Sequence, residues 1–136
     1  MQVFKDDFVL LIEAGFMAVK KFDEDSARKL FLAAHELRPS HSVPFVGLSY
    51  ISLNKMDYEA AIETLEPIVK EEPDNYLAAV LLGIGKLMDK DLRSEGEAGI
   101  RAAIGKTDDP TVKNLGDTAL LWSEKDLKKS KAPFFS

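Results

Sequence analysis

The sequence predicts an all-α protein made of helix pairs repeated along the chain. Three observations carry that prediction. Pro39 and Pro73 each close a stretch of similar length with helical apolar spacing. Each stretch divides into two short helical segments around a polar turn. A weaker copy of the same pattern begins after Pro73. Proline lacks a backbone donor and pushes the residue before it out of the helical region, so it punctuates a repeat of this kind. Helix pairs recurring at a fixed spacing are the mark of a solenoid.

The elements follow in order. The first helix is expected to start near Asp6 and Asp7, whose carboxylates suit a helix N-terminus, and to run to about Phe22. Residues 23–25 make a turn, and a second helix runs from about Ser26 to Arg38. The third spans Pro44 to about Leu53, and Asn54, Lys55 and Met56 turn the chain into a fourth, Asp57 to about Glu71. Pro67 lies inside that fourth helix and should kink it or weaken its last turn. The segment NYLAAVLLGIGKLM forms the fifth helix. A longer turn over residues 89–94 then precedes a glycine-bearing sixth, from about Ser94 to Ile104. Pro110 opens a seventh, to about Trp122, and Ser123 is a candidate cap for a last short helix. The tail KKSKAPFFS is expected to fray unless Phe134 and Phe135 find a pocket.

Composition narrows the function classes. A chain of 136 residues is one domain by the usual prior, and 46% hydrophobic with 30% charged residues is ordinary for a soluble globular protein. A net charge of -5 argues against nucleic-acid binding, which needs a basic face toward phosphates. The absence of cysteine excludes disulfides, thiolate catalysis and cysteine-ligated zinc. The start MQVFKDDFVLL has no basic opening, long apolar run or small-residue cleavage site, so no signal peptide is expected. The longest apolar run, around Leu77 to Ile84, is too short for a membrane span.

No catalytic constellation emerges, and neither an enzyme, a cofactor nor a metal site is expected. His35 and His41 flank a helix end at no metal-ligand spacing and read as surface or cap residues. The acidic pairs Asp6-Asp7, Glu71-Glu72 and Asp108-Asp109 sit at element ends, where carboxylates solvate helix termini. Gly83-x-Gly85 lies within a helix, not between a strand and a helix, so close helix packing explains it and a phosphate loop does not.

Placed in one register, the chain shows more. With Pro39 closing the first unit, Leu11, Ala14, Gly15 and Ala18 fall on packing positions of its first helix, and Ala27, Phe31 and Ala34 on its second. With Pro73, Phe45, Leu48, Ser49 and Ser52 fall on the third helix, and Ala61, Leu65 and Ile68 on the fourth. This order of small and large residues resembles the tetratricopeptide family over roughly residues 8–74, and the interval from Pro39 to Pro73 matches that family's repeat length. Ala18 and Ser52 stand where the family often has tyrosine. In the third unit Ala79, Leu82 and Gly83 keep the register, while Ala98 and Ala102 reach packing positions only with about three inserted residues. The resemblance implies a right-handed superhelix of about three helix pairs with a C-terminal capping helix. The repeats would cover about 8–41, 42–75 and 76–109 and the cap 110–122, all in a single domain 1–122 followed by a tail or short helix over 123–136.

In that family the first helix of each pair lines a concave wall, through the second, fifth, ninth and twelfth residues of the repeat. Here those residues are Val9, Ile12, Phe16 and Val19, then Val43, Val46, Tyr50 and Leu53, then Leu77, Val80, Ile84 and Leu87. All twelve are apolar or aromatic, and the expectation is that they form one uncovered strip that binds a partner. The chain's own C-terminal segment or a second copy, as a homodimer, are the competing occupants. The wall lacks the basic and amide residues that grip charged peptide termini; Lys20 and Asn54 reach only its rim. An amphipathic helix suits it better.

Small, acidic, cysteine-free chains with about three such repeats resemble the chaperones of bacterial type III secretion. Asp109-Pro110 opening the last helix is similar to the needle-subunit branch, and the resemblance covers about residues 8–122. It implies a bacterial cytoplasmic protein that holds the amphipathic C-terminal helix of a needle subunit, together with a second small helical co-chaperone, and so prevents premature polymerisation. A translocator-type chaperone and a general scaffold joining subunits of an assembly are the alternatives.

Overall fold

The computed structural model describes residues 3–127, with side chains from residue 7 onward. Its described residues form seven α-helices and no strand: α1 (Val3–Lys20), α2 (Glu24–Leu37), α3 (Val43–Asn54), α4 (Tyr58–Glu71), α5 (Tyr76–Leu87), α6 (Arg93–Lys106) and α7 (Pro110–Trp122). A π-helical turn, Ser123–Leu127, extends α7. The fold class is all-α, with the helices packed in pairs. Two compact units divide the chain, Met1–Leu65 and Glu66–Ser136. Their boundary falls inside α4, which runs through Pro67 without interruption.

α1 begins at Val3, earlier than the Asp6-Asp7 pair suggests, so Asp7 lies within the helix and not at its cap. Phe134 and Phe135 fall outside the described residues. Ser123 does not cap a separate helix: its backbone N–H still donates to Ala119 and Leu120, and its side chain is buried.

In the first unit the turns repeat with the period of the prolines. Between α1 and α2, the Phe22 amide donates to the Val19 carbonyl at 3.0 Å and the Asp23 amide to Ala18 at 2.9 Å. Between α3 and α4, the Met56 amide donates to Leu53 at 3.0 Å and Asp57 to Ser52 at 2.8 Å, the same pattern one repeat further on. This is the Schellman ending, in which one residue past the helix turns left-handed and the last carbonyls keep their partners. That residue is Phe22 at φ 59° and Met56 at φ 64°. Glycine usually fills it, because a side chain crowds the carbonyl there. Asp23 and Asp57 then accept from the amides of Ser26 (3.2 Å) and Ala60 (3.3 Å), capping α2 and α4.

Phe31 on α2 is the centre of the first unit's core. It is fully buried with Ala18, Val19, Ala27 and Ile51 around it. Its ring presses on the bare backbones of Gly15 in α1 and Gly47 in α3, where an added Cβ would meet ring atoms at under 3.0 Å. Phe16 closes on its edge, ring centroids 5.1 Å apart at 72°. At the far end of α1, Phe8 is buried under Arg38, whose guanidinium sits 4.9 Å above the ring, with the His41 ring at 5.1 Å. His41 also accepts the Val43 amide at 3.2 Å, which fits its reading as a cap residue.

The second unit repeats the arrangement with other residues. Gly83 on α5 faces Ile100 on α6, again too close for a side chain, as Gly15 faces Phe31. Gly116 on α7 meets Ile100 and Ile104, as Gly47 meets Phe31. The step from Phe31 to Gly47 equals the step from Ile100 to Gly116, so α7 stands to α6 as α3 stands to α2. The step from Gly83 to Ile100 is one residue longer than that from Gly15 to Phe31, so the third pair carries a single insertion, not about three. The buried face of α6 is therefore Gly96, Glu97, Ile100 and Ala103, while Ala98 and Ala102 are exposed. Gly96 takes the small-residue position because the carbonyl of Gly83 approaches it too closely for a Cβ. Buried Glu97 accepts the Ser123 hydroxyl at 2.9 Å.

Lys86 on α5 lies between two carboxylates, Glu95 at 2.6 Å and Glu66 at 3.5 Å, with only 13% of its side chain exposed. Burial alone disfavours its charge, but the hydrogen bond and charge of Glu95, then of Glu66, outweigh it, and its pKa is raised above the ordinary 10.5.

Three measurements test this account of the packing. Gly47→Ala forces a methyl into a ring already confined by Gly15, and urea unfolding is expected to show a loss of about 1–3 kcal/mol. Phe22→Gly and Met56→Gly relieve left-handed strain at exposed sites, and each is expected to gain about 0.5–1 kcal/mol in the same assay. Lys86→Met is expected to cost about 0.5–1 kcal/mol, since its partners are largely exposed. A raised lysine pKa stabilises in full below the unfolded value, so that cost holds at neutral pH and fades above about pH 10.5 as the folded-state lysine loses its proton.

Candidate functional site

The twelve expected wall residues lie on α1, α3 and α5, four to each helix. In an α-helix, residues seven apart return to nearly the same angle, so the second and ninth positions of a repeat form one stripe and the fifth and twelfth another, roughly 60° away. The structure treats the two stripes differently. Along the second and ninth positions, Val9 is 48% exposed, and Phe16, Val43, Tyr50, Leu77 and Ile84 are partly buried. Along the fifth and twelfth, Val19, Val46, Val80 and Leu87 are buried in the core, and only Ile12 and Leu53 keep partial exposure.

The expectation of twelve uncovered side chains therefore needs correction at Val19, Val46, Val80 and Leu87. Val19 packs with Ala18, Ala27, Phe31 and Ile51. Val80 packs with Ala103 and Val112, and Leu87 with Ile100 and Ala119. The cause is geometric: the fifth and twelfth positions point toward the neighbouring helices, and a valine or leucine there fills the space between them. These residues hold the wall together and do not reach a partner.

Within the first unit, the ninth positions of consecutive repeats meet. Phe16 and Tyr50 lie edge to face with ring centroids 6.4 Å apart at 79°, and Phe16 continues to the buried Phe31. Ile12 and Tyr50 flank the same core from its outer side. This aromatic pair is anchored on the core and only partly buried, as an apolar anchor point would be. In the second unit, Leu77 and Ile84 lean on a cluster to which α7 contributes Val112 and Leu115. The capping helix thus supports the third-repeat row from one side and leaves both residues partly exposed.

Other features carry less chemistry. No protein-family model, curated protein or solved structure matches this chain. Among the described residues no group of three or more His, Asp or Glu is placed to hold a metal ion. Nor is any described helix long and apolar enough to cross a membrane. His35 meets Phe45 edge to face at 4.8 Å, and its Nδ1 is buried without a hydrogen-bond partner, so it is not the surface or cap residue its position in the sequence suggests. Gly83 and Gly85 are both buried within α5, where Gly83 admits the α6 backbone.

Sequence reading missed two apolar surfaces. A cleft on the outer side of α1 and α2 is lined by Leu10, Leu11, Ala14, Ala33 and Leu37, with Asp7 and Glu36 beside them. Leu11 and Ala14 take packing positions in the repeat register, yet both face this cleft and stay partly exposed. The second surface is the turn edge at Phe22 and Met56, which are 81% and 74% exposed. Residue spacing alone carries no signal for either, because each depends on which neighbour is present.

Proposed function

We propose that this protein is a binding module that covers the apolar stripe of an amphipathic helix, as the needle-subunit chaperones of type III secretion do. One observation supports the reading above the rest: the Phe16 and Tyr50 rings meet at equivalent positions of consecutive repeats, packed on the Phe31 cluster and still partly exposed. A helix laid along the first-helix surfaces of the first unit would meet Val9, Phe16, Val43 and Tyr50. The second unit offers Leu77 and Ile84 on its own first helix. Apolar anchors at helical spacing are what an amphipathic helix offers in return.

On this reading the ligand is the amphipathic C-terminal helix of a secretion needle subunit, held in the bacterial cytoplasm so that it does not polymerise early. A second small helical protein would share the complex. The wall's lack of basic residues favours an apolar stripe over a charged peptide terminus as the recognised feature.

The test separates binding from folding. A fluorescent peptide carrying the needle subunit's C-terminal helix is titrated with the purified protein. Phe16→Ala and Tyr50→Ala are each expected to weaken binding by about 2 kcal/mol while leaving the fold intact by circular dichroism. Val46→Ala is expected to lower the urea midpoint, costing about 1–2 kcal/mol of stability, with affinity for the peptide kept. Wild-type affinity in both aromatic variants overturns the proposal.

A further inference from the structure

The outer face of α1 is shaped to receive a helix. One repeat further on, α3 buries the corresponding residues: Pro44, Gly47 and Ile51 are covered, with Phe31 of α2 pressed on Gly47. In α1 the same positions carry Leu10, Glu13 and Met17, and there Leu10 is 60% and Met17 58% exposed. The repeat register therefore places a neighbouring helix where none lies among the described residues. A solenoid end that keeps its apolar face needs a cover.

The residues on this face say which helix fits. Asp7, Ala14 and Lys21 recur at every seventh position, with Leu10 and Met17 between them, which is the a and d spacing of a coiled-coil seam. Ala14 at the centre lets another backbone come close. The charges run from acid at the N-terminal end, Asp7, to base at the C-terminal end, Lys21, and both side chains are exposed and make no ion pair among the described residues. A parallel copy would set like charges together, whereas an antiparallel copy sets Asp7 against Lys21 twice. Glu36 lines the same cleft as Asp7 and adds a second carboxylate where the lysine arrives. Glu13 lies about 100° round the helix from Ala14, to the side of the seam, so its two copies flank the two-fold axis without facing each other.

We infer that α1 pairs with α1 of a second copy of this chain, antiparallel about a two-fold axis at Ala14, with Met17 of each on Leu10 and Leu11 of the other and Asp7 of each beside Lys21 of the other. The contact is isologous, as a two-fold axis requires. It spans about two heptads, so the association is weak and concentration-dependent. Val9 and Phe16 of the wall point roughly 140–160° away from Ala14, so the inference stands or falls independently of the chaperone reading.

Sedimentation equilibrium over a micromolar to millimolar range, at low salt, tests it by charge exchange. The wild type is expected to show a reversible monomer–dimer equilibrium. Lys21→Glu sets acid against acid at both ends and is expected to weaken dimerisation by at least about tenfold. Adding Asp7→Lys to that variant is expected to restore the wild-type level, which misfolding or a general loss of charge does not do. Glu13→Gln is expected to dimerise more tightly than the wild type, because it removes the like charges nearest the axis. A wild type that stays monomeric throughout overturns the inference and leaves the face to a helix of another protein. A Lys21→Glu variant that dimerises unchanged overturns it too, as does an Asp7→Lys/Lys21→Glu variant that stays as weak as Lys21→Glu alone.

Discussion

The contact between one large side chain and two bare helix backbones sets the geometry of each unit. Phe31 fills the space between α1, α2 and α3 because Gly15 and Gly47 let its ring approach their backbones. Ile100 does the same between α5, α6 and α7 with Gly83 and Gly116. Interiors pack to nearly crystalline density, so the size of this one side chain and the absence of two Cβ atoms fix the interhelical distances. The change from phenylalanine to isoleucine goes with the closer backbone approach of Gly83 and Gly96. The same constraint decides which wall residues are available. Once the first helices are drawn in, their fifth and twelfth positions fill the seams, and the second and ninth are left at the surface.

Much of this was legible in the residues. Proline spacing located the helix pairs, and the small and large alternation located Ala27, Phe31, Ala34, Ala61 and Leu65, all of them fully buried. The third pair was harder. Gly96 reads as a helix breaker by propensity, but it serves as the small packing residue, and its register was masked by one extra residue in the turn before α6. The Schellman endings at Phe22 and Met56 gave no signal, because the expected glycine is absent and the strained conformation is imposed by the hydrogen bonds around it. Among the wall residues, apolar character marked all twelve alike. Telling stripe from seam needs the packing angle of the next helix, which no single residue encodes.

Surface and core exchange roles along this chain with small changes of position. Phe16 is both a core neighbour of Phe31 and part of an accessible row. Phe22, on the turn that follows the same helix, is almost wholly in solvent. Charge follows the same economy of means: Asp23 and Asp57 cap helices, Glu24 joins Arg28 at 2.7 Å and Lys55 at 3.2 Å, and Lys86 is held between Glu95 and Glu66. The exposed pairs contribute little individually to stability. Their effect is to fix where each turn begins and which side chains stand beside it.

The glycines of α6 have an energetic consequence. Gly96, Gly99 and Gly105 all fall within this one helix, and an added Cβ at Gly99 or Gly105 would meet nothing. Such a segment nucleates poorly by itself, since each glycine has more backbone freedom to lose. It becomes helical when α5 and α7 supply the surfaces on either side, with Leu87, Ile100 and Ala119 joining as one cluster. α6 therefore owes its helical state to the surfaces packed against it more than to its own residues.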